Sequence, residues 1–211
     1  MTTKTVSETL FEEFCSFNAL PFERINEGAA PTPDYLVVLN GVDTYVEVKQ
    51  IDEDEAFTPP RMSRTLGSHI RAKINEARDQ VRSAASQGAP AIVLIYNNLD
   101  PLQLFGTEQQ DFIAAMYGEP TVQISLETGK ILDTFQGRNK SLRVGKNDSF
   151  SAVGRLRREA IAPRVHLYEN MYAKVPLDYP SLPTCVHTTV LRSKPMETPN
   201  FRCSGRAEAR R

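Results

Sequence analysis

Cysteine is scarce in this chain, and what there is does not pair. Cys15, Cys185 and Cys203 are an odd set without a Cys-x-x-Cys spacing. That excludes a disulfide framework and suits reduced thiols in a cytoplasm. Histidine is equally thin: His69, His166 and His187 are scattered, and Cys185-Val-His187 lacks partners at zinc-finger spacing. No run approaches the roughly 20 apolar residues that a membrane helix requires. The opening Met-Thr-Thr-Lys-Thr-Val-Ser-Glu has no apolar signal core, so a cytoplasmic protein without membrane contact is expected. Gly-x-Ser-x-Gly, P-loop and Gly-x-Gly-x-x-Gly motifs are also missing. Gly67-Ser68 opens a helix and reads as a cap, not a phosphate cradle.

What remains is ordinary in bulk and uneven in detail. With 211 residues, 40% hydrophobic and 24% charged, the chain can bury a sizeable core. A single domain over 1–190 is expected, with a core at about 7–97, an elaboration at about 98–190 and a basic, disordered tail at 191–211. The net charge of −1 hides a division. Residues 61–82 carry six Lys/Arg against two acids, 136–164 eight against two, and 192–211 six against two. Basic segments on an acidic background suit a local polyanion surface, although solvated helix faces explain any one of them equally well.

Periodicity supplies the elements. Leu10, Phe14 and Phe17, widened by Phe11, make an amphipathic helix over 7–19 with Ser7 as N-cap. On its wheel Glu13 lies beside the apolar face and Glu12 nearly opposite. A short strand near Phe22 follows, and 51–67 reads as a loop rich in proline and charge. Ile70, Ile74, Ala77, Val81 and Ala84 stripe one long helix from Ser68 to about Gln87, with His69, Lys73, Glu76 and Gln80 along one flank. Ala91–Tyr96 is a strand buried on both faces. Further on, Thr107 with Gln110 opens a helix, 121–126 and 131–135 form a hairpin, 150–159 is a basic helix and 165–168 a late strand.

The stretch that carries chemistry is the hairpin at 33–49. Tyr-Leu-Val-Val-Leu and Val-Asp-Thr-Tyr-Val flank Asn40-Gly41, the residues a type I′ turn demands. Alternation points Glu47 and Lys49 one way and Val48 the other, while Asp34 opens the first strand beside the end of the second. Two carboxylates and an ammonium therefore converge. Paired carboxylates hold a hard divalent cation through oxygen, with the Val48 carbonyl as a further ligand. Such an ion polarises a phosphodiester and acidifies water, and a lysine beside it orients that water and offsets developing charge.

Pro33-Asp34 … Glu47-Val48-Lys49, on a strand hairpin between helices, resembles the signature of the PD-(D/E)XK, or restriction-endonuclease-like, nuclease superfamily. The resemblance covers about 7–97. It implies an α/β fold, with a mixed central sheet flanked by helices, an αβββαβ core and C-terminal additions. It implies Asp34 and Glu47 as Mg2+ (or Mn2+) ligands and Lys49 as the catalytic lysine. Members often add a glutamate from the first helix, for which Glu13 is the candidate, and a glutamine or lysine from the following helix, where Gln80 and Lys73 qualify. The substrate class does not carry over with the resemblance. The activity expected is metal-dependent phosphodiester hydrolysis on nucleic acid, DNA ahead of RNA, with Arg61, Arg64, Arg71 and Lys73 of the basic segment on the backbone and a homodimer as an open option. Two other readings stand beside it: a non-catalytic nucleic-acid- or protein-binding module on the same fold, and a chance arrangement of exposed strand residues.

Overall fold

The computed structural model of the chain describes residues 4–190 apart from 27, 29, 53–56, 59–60 and 63. The tail assigned to 191–211 therefore lies outside the described residues. Helix α1 (Val6–Phe17) starts at Thr5 and not at Ser7. Only Thr-x-x-Glu closes a reciprocal cap: the Thr5 amide donates to Glu8 Oε2 at 2.6 Å, and the Glu8 amide donates to Thr5 Oγ1 at 3.2 Å. Leu10, Phe11, Phe14 and Cys15 are buried, whereas Phe17 is 64% exposed and drops out of the expected stripe.

Three antiparallel strands follow, β1 (Phe22–Arg24), β2 (Tyr35–Leu39) and β3 (Val42–Ile51). Asn40 and Gly41 adopt φ of 48° and 83°, the positive values that the tight turn between β2 and β3 requires. Within the expected loop at 51–67 two short strands pair, β4 (Phe57–Thr58) and β5 (Arg61–Met62).

The single long helix expected from Ser68 is two, α2 (Ser68–Glu76) and α3 (Arg78–Ser86), parted at Ala77 where ψ relaxes to −3°. Amide bonds from Ala77 to Lys73 and from Val81 to Ala77 persist across the break. The apolar stripe consequently stays continuous, with Ile70, Ile74, Ala77, Val81 and Ala84 all buried. The cap is Gly67 at φ 71°, not Ser68, and it offers no side-chain cap bond. A Cβ at Gly67 would stand 2.7 Å from the Asp111 carbonyl, so glycine is required on both counts.

The α2–α3 crossover leads into β6 (Ala91–Asn97), buried along its whole length and parallel to β3. Helix α4 (Gln109–Tyr117) is capped by Glu108 with Asp111, not by Thr107 with Gln110. Thr107 is buried instead, accepting from Asn97 Nδ2 at 3.1 Å. The hairpin β7 (Pro120–Ile124) and β8 (Ile131–Gln136) makes a separate two-stranded sheet.

The basic helix expected at 150–159 is a strand, β9 (Ala152–Arg157), parallel to β6. Ala152 and Leu156 pack under α1, and Val153 faces the opposite layer. A Cβ at Gly154 would meet Leu94 and Leu167 side chains within 2.8 Å, so the residue is wedged between neighbouring strands. Strands β10 (Arg164–Glu169) and β11 (Val186–Thr189) complete a mixed α/β sheet of seven strands in the order β1-β2-β3-β6-β9-β10-β11. Among the described residues no helix is long and apolar enough to cross a membrane.

Two cores flank the sheet. One lies beneath α1 and includes Tyr35, Val37, Val46 and Val48; the other lies beneath α2, α3 and α4 and includes Ile51, Val93 and Ile95. Since β3 alternates without a bulge, Glu47 and Lys49 share the face of Ile51.

Candidate active site

The register of the β2–β3 hairpin pairs Tyr35 with Val46. Continued by one residue, it sets Asp34 across from Glu47. Asp34 is held there by its own acceptor: Oδ2 receives the Val48 amide at 2.8 Å. Lys49 Nζ lies 2.6 Å from Glu47 Oε1. Glu47 is 2% exposed, and its Oε2 is buried with no hydrogen-bond partner among the described residues. A buried carboxylate oxygen left bare costs on the order of 1–3 kcal/mol or more.

The electrostatics agree. Burial pushes the Glu47 carboxyl up to about 7, and the Asp34 charge adds to the rise against the pull of Lys49 and of the Asp34 backbone. Burial also raises Asp34, and the Glu8 charge adds to this; the Val48 amide, Lys49 and Arg24 oppose it. Two carboxylates thus compete for one half-neutralised spot. A divalent cation would relieve both terms at once, and the donor set of hard oxygens suits Mg2+. Val48 contributes its amide to Asp34 and its side chain to the core beneath α1. Among the described residues no group of three or more His, Cys, Asp or Glu side chains is arranged to hold an ion.

The α1 carboxylates sit otherwise than the wheel implied. Glu13 is exposed. Glu12 is half-buried; its Oε1 accepts the Tyr35 hydroxyl at 2.9 Å and its Oε2 meets Lys4 at 2.7 Å. Glu8 is 8% exposed, pairs with Arg24 on β1 and lies close enough to act on Asp34. The reason is the loss of Phe17 from the buried stripe. With Phe11 and Cys15 inside, the helix is rolled so that Glu8 and not Glu13 borders the site.

Gln80 is half-buried in the first turn of α3, and Lys73 Nζ is turned to Glu76 at 2.9 Å. No bond links either to Asp34 or Glu47 among the described residues. Of the expected backbone-binding cations, Arg64 is committed to Asp111 and to Glu108 at 3.2 Å, and its guanidinium lies 5.6 Å from the Phe105 ring centre. Arg71 donates to the Leu66 carbonyl at 2.7 Å and stands 3.8 Å from Glu119. Arg64 ties the segment before α2 to the start of α4, and Arg71 ties α2 to its surroundings. The Arg61 side chain lies outside the described residues.

Gln50 was not singled out by its sequence context, yet its Oε1 accepts the Ser7 amide at 2.8 Å and fastens β3 to the start of α1. Glu8, with Thr5 three residues before it, was legible as a capping box. Arg24, at the edge of a short strand, carried no signal. No protein-family profile, curated protein or solved structure matches this chain.

Proposed function

We propose that the protein is a Mg2+- or Mn2+-dependent nuclease that hydrolyses phosphodiester bonds in nucleic acid, DNA ahead of RNA, on a restriction-endonuclease-like core. The observation that carries the reading is the bare, buried Glu47 Oε2 set across from Asp34 and beside Lys49. Asp34 and Glu47 would hold the ion, which when bound neutralises charge at the phosphate and acidifies water. The hairpin contributes the rest. The Val48 amide fixes the half-buried Asp34 carboxylate, and burial of Glu47 limits how far bulk water screens the two charges. Lys49 Nζ, released from Glu47 Oε1, orients the attacking water and stabilises charge on the pentavalent phosphorus. The water oxygen bonds to phosphorus as one ester P–O bond breaks. A proton from that water is lost to solvent, and the departing oxygen takes one up.

The test is a cleavage panel on single-stranded, duplex and branched oligonucleotides with Mg2+, Mn2+ or EDTA. Cleavage that requires the metal and disappears in Glu47→Gln and Asp34→Asn supports the reading. Equal degradation by wild type and both variants, or none by wild type in any metal, sinks it. The latter result, together with retained binding, would make the protein a binding module instead.

A further inference from the structure

A second feature lies on the far flank of α3, where two basic segments distant in sequence come together. A cleft of about 390 Å3 is lined by Arg78, Arg82, Asn147, Asp148, Ser149 and Lys174, a volume within the roughly 300–1,000 Å3 of small-ligand sites. Arg78 is the fixed part. Its Nε donates to Asn147 Oδ1 at 2.9 Å and its Nη2 to Asn75 Oδ1 at 2.9 Å. Asn147 is itself held, donating through Nδ2 to the Ser141 carbonyl at 2.9 Å and offering its own carbonyl to Asn170. Both partners of Arg78 are neutral amides, and it forms no ion pair among the described residues. Its charge is therefore positioned but not cancelled. Structural arginines are normally set against carboxylates, as Arg64 is here. A guanidinium braced by amides, with N–H groups to spare, is the arrangement that receives an anion.

The rim adds mobile charge. Arg82 is 65% exposed and only 3.5 Å from Asp79, and Lys174 is 69% exposed and 3.2 Å from Asp148. The Arg82–Asp79 pair is solvated on both sides and releases its cation at little cost, while Lys174 is solvated beside an Asp148 side chain that is 15% exposed. Arg143 and Lys146 bridge backbones across the adjoining turn and extend the positive surface. Ser149 borders the cleft with a hydroxyl. Three cations against one lining carboxylate, one of them rigid and two adjustable, fit successive phosphates along a strand better than a single small anion.

We propose that this cleft binds the sugar–phosphate backbone of a nucleic-acid strand, separate from the Asp34–Glu47 centre. The choice of a nucleic acid rests on the nuclease reading; the affinity for phosphate groups does not. The test measures fluorescence anisotropy of labelled single-stranded and duplex oligonucleotides against salt, in EDTA, with the full chain carrying Glu47→Gln. Adding Arg82→Ala and Lys174→Ala, both at exposed positions, should weaken binding about tenfold and reduce the slope of log K against log salt by roughly 2. Lys130→Ala, on the turn between β7 and β8, should change neither. Unchanged affinity and slope in the double variant would overturn the proposal. Equal loss with polyglutamate of matched charge would overturn the nucleic-acid assignment in favour of an acidic polypeptide. Because binding is read without turnover, failure of wild-type protein to cleave DNA would remove the nuclease reading and leave the cleft standing.

Discussion

Burial disfavours a charged Glu47 and the Asp34 carboxylate beside it adds repulsion, so its carboxyl is pushed up from 4.5 to about 7. Between those values the folded chain keeps a proton that the unfolded chain releases. The stability associated with Glu47 is thus fully present below about pH 4.5 and is lost as pH rises through about 7. The span corresponds to roughly 3 kcal/mol at most. In buffer free of divalent ions, thermal unfolding should show Glu47→Gln gaining on wild type as pH rises across that window. A difference that stays flat with pH would mean that Glu47 is not strained by its surroundings. Mg2+ should raise the wild-type melting temperature near pH 8, where both carboxyls are charged, and hardly at all near pH 4, where Glu47 holds its proton. Lys49 is where the proposed roles of binding and chemistry can be tested apart. Lys49→Ala removes a cation that competes for Glu47, so calorimetry should find Mg2+ bound at least as tightly as in wild type. Cleavage in the same protein should fall about a hundredfold or more. Equal loss of both would make Lys49 a structural partner of Glu47 and nothing further.

Elements place these residues, and they do so through features of unequal visibility. The β2–β3 hairpin was readable because everything that specifies it is local: Asn40-Gly41 for the turn, alternation for the faces and Pro33 for the start. The roll of α1 was not readable in the same way. It depends on which aromatic residues find partners, and Phe11 meets the Tyr35 ring at 5.0 Å while Phe17 meets solvent. That choice belongs to the packing, and it decides that Glu8 borders Asp34 while Glu13 does not. Glu13→Gln should accordingly leave metal-dependent cleavage within about twofold of wild type, a change at an exposed helix position being nearly neutral. A large loss of cleavage there would restore Glu13 to the site. The junction of α2 with α4 is similarly determined. Gly67→Ala forces a β-carbon into the left-handed region and against the Asp111 carbonyl and Ala115 amide at 2.7 and 2.8 Å. Urea denaturation should show a loss of about 2–4 kcal/mol.

On the scale of the whole molecule, the sheet is legible up to β6, and beyond it only β10, expected at 165–168, shows in the sequence. Strand β9 carries Arg155 and Arg157, with Arg158 just past its end, and charge at that density suggests a solvated helix face. Its identity as a strand comes from neighbours on both sides, β6 and β10, and from a glycine with no room for a side chain. Nothing within 150–159 announces those neighbours. The β7–β8 hairpin is the opposite case, local enough to read and detached from the seven-stranded sheet. Val122, Ile124, Leu126, Ile131 and Leu132 are all exposed on it, so it contributes little burial to either core. Pro120 and Gln136 pair at its base, and the Glu119 amide donates to the Arg138 carbonyl at 3.0 Å just below. A two-residue Asn-Gly turn joining Pro120 to Gln136 in place of 121–135 would therefore close the gap without disturbing the main sheet. Thermal unfolding of that shortened protein should remain cooperative, with a melting temperature within a few degrees of wild type. Binding of a hydrophobic dye should fall, because the excised residues supply much of the exposed apolar surface. A loss of cooperativity, or a drop well beyond about 10 °C, would show that the hairpin supports the fold despite its exposure.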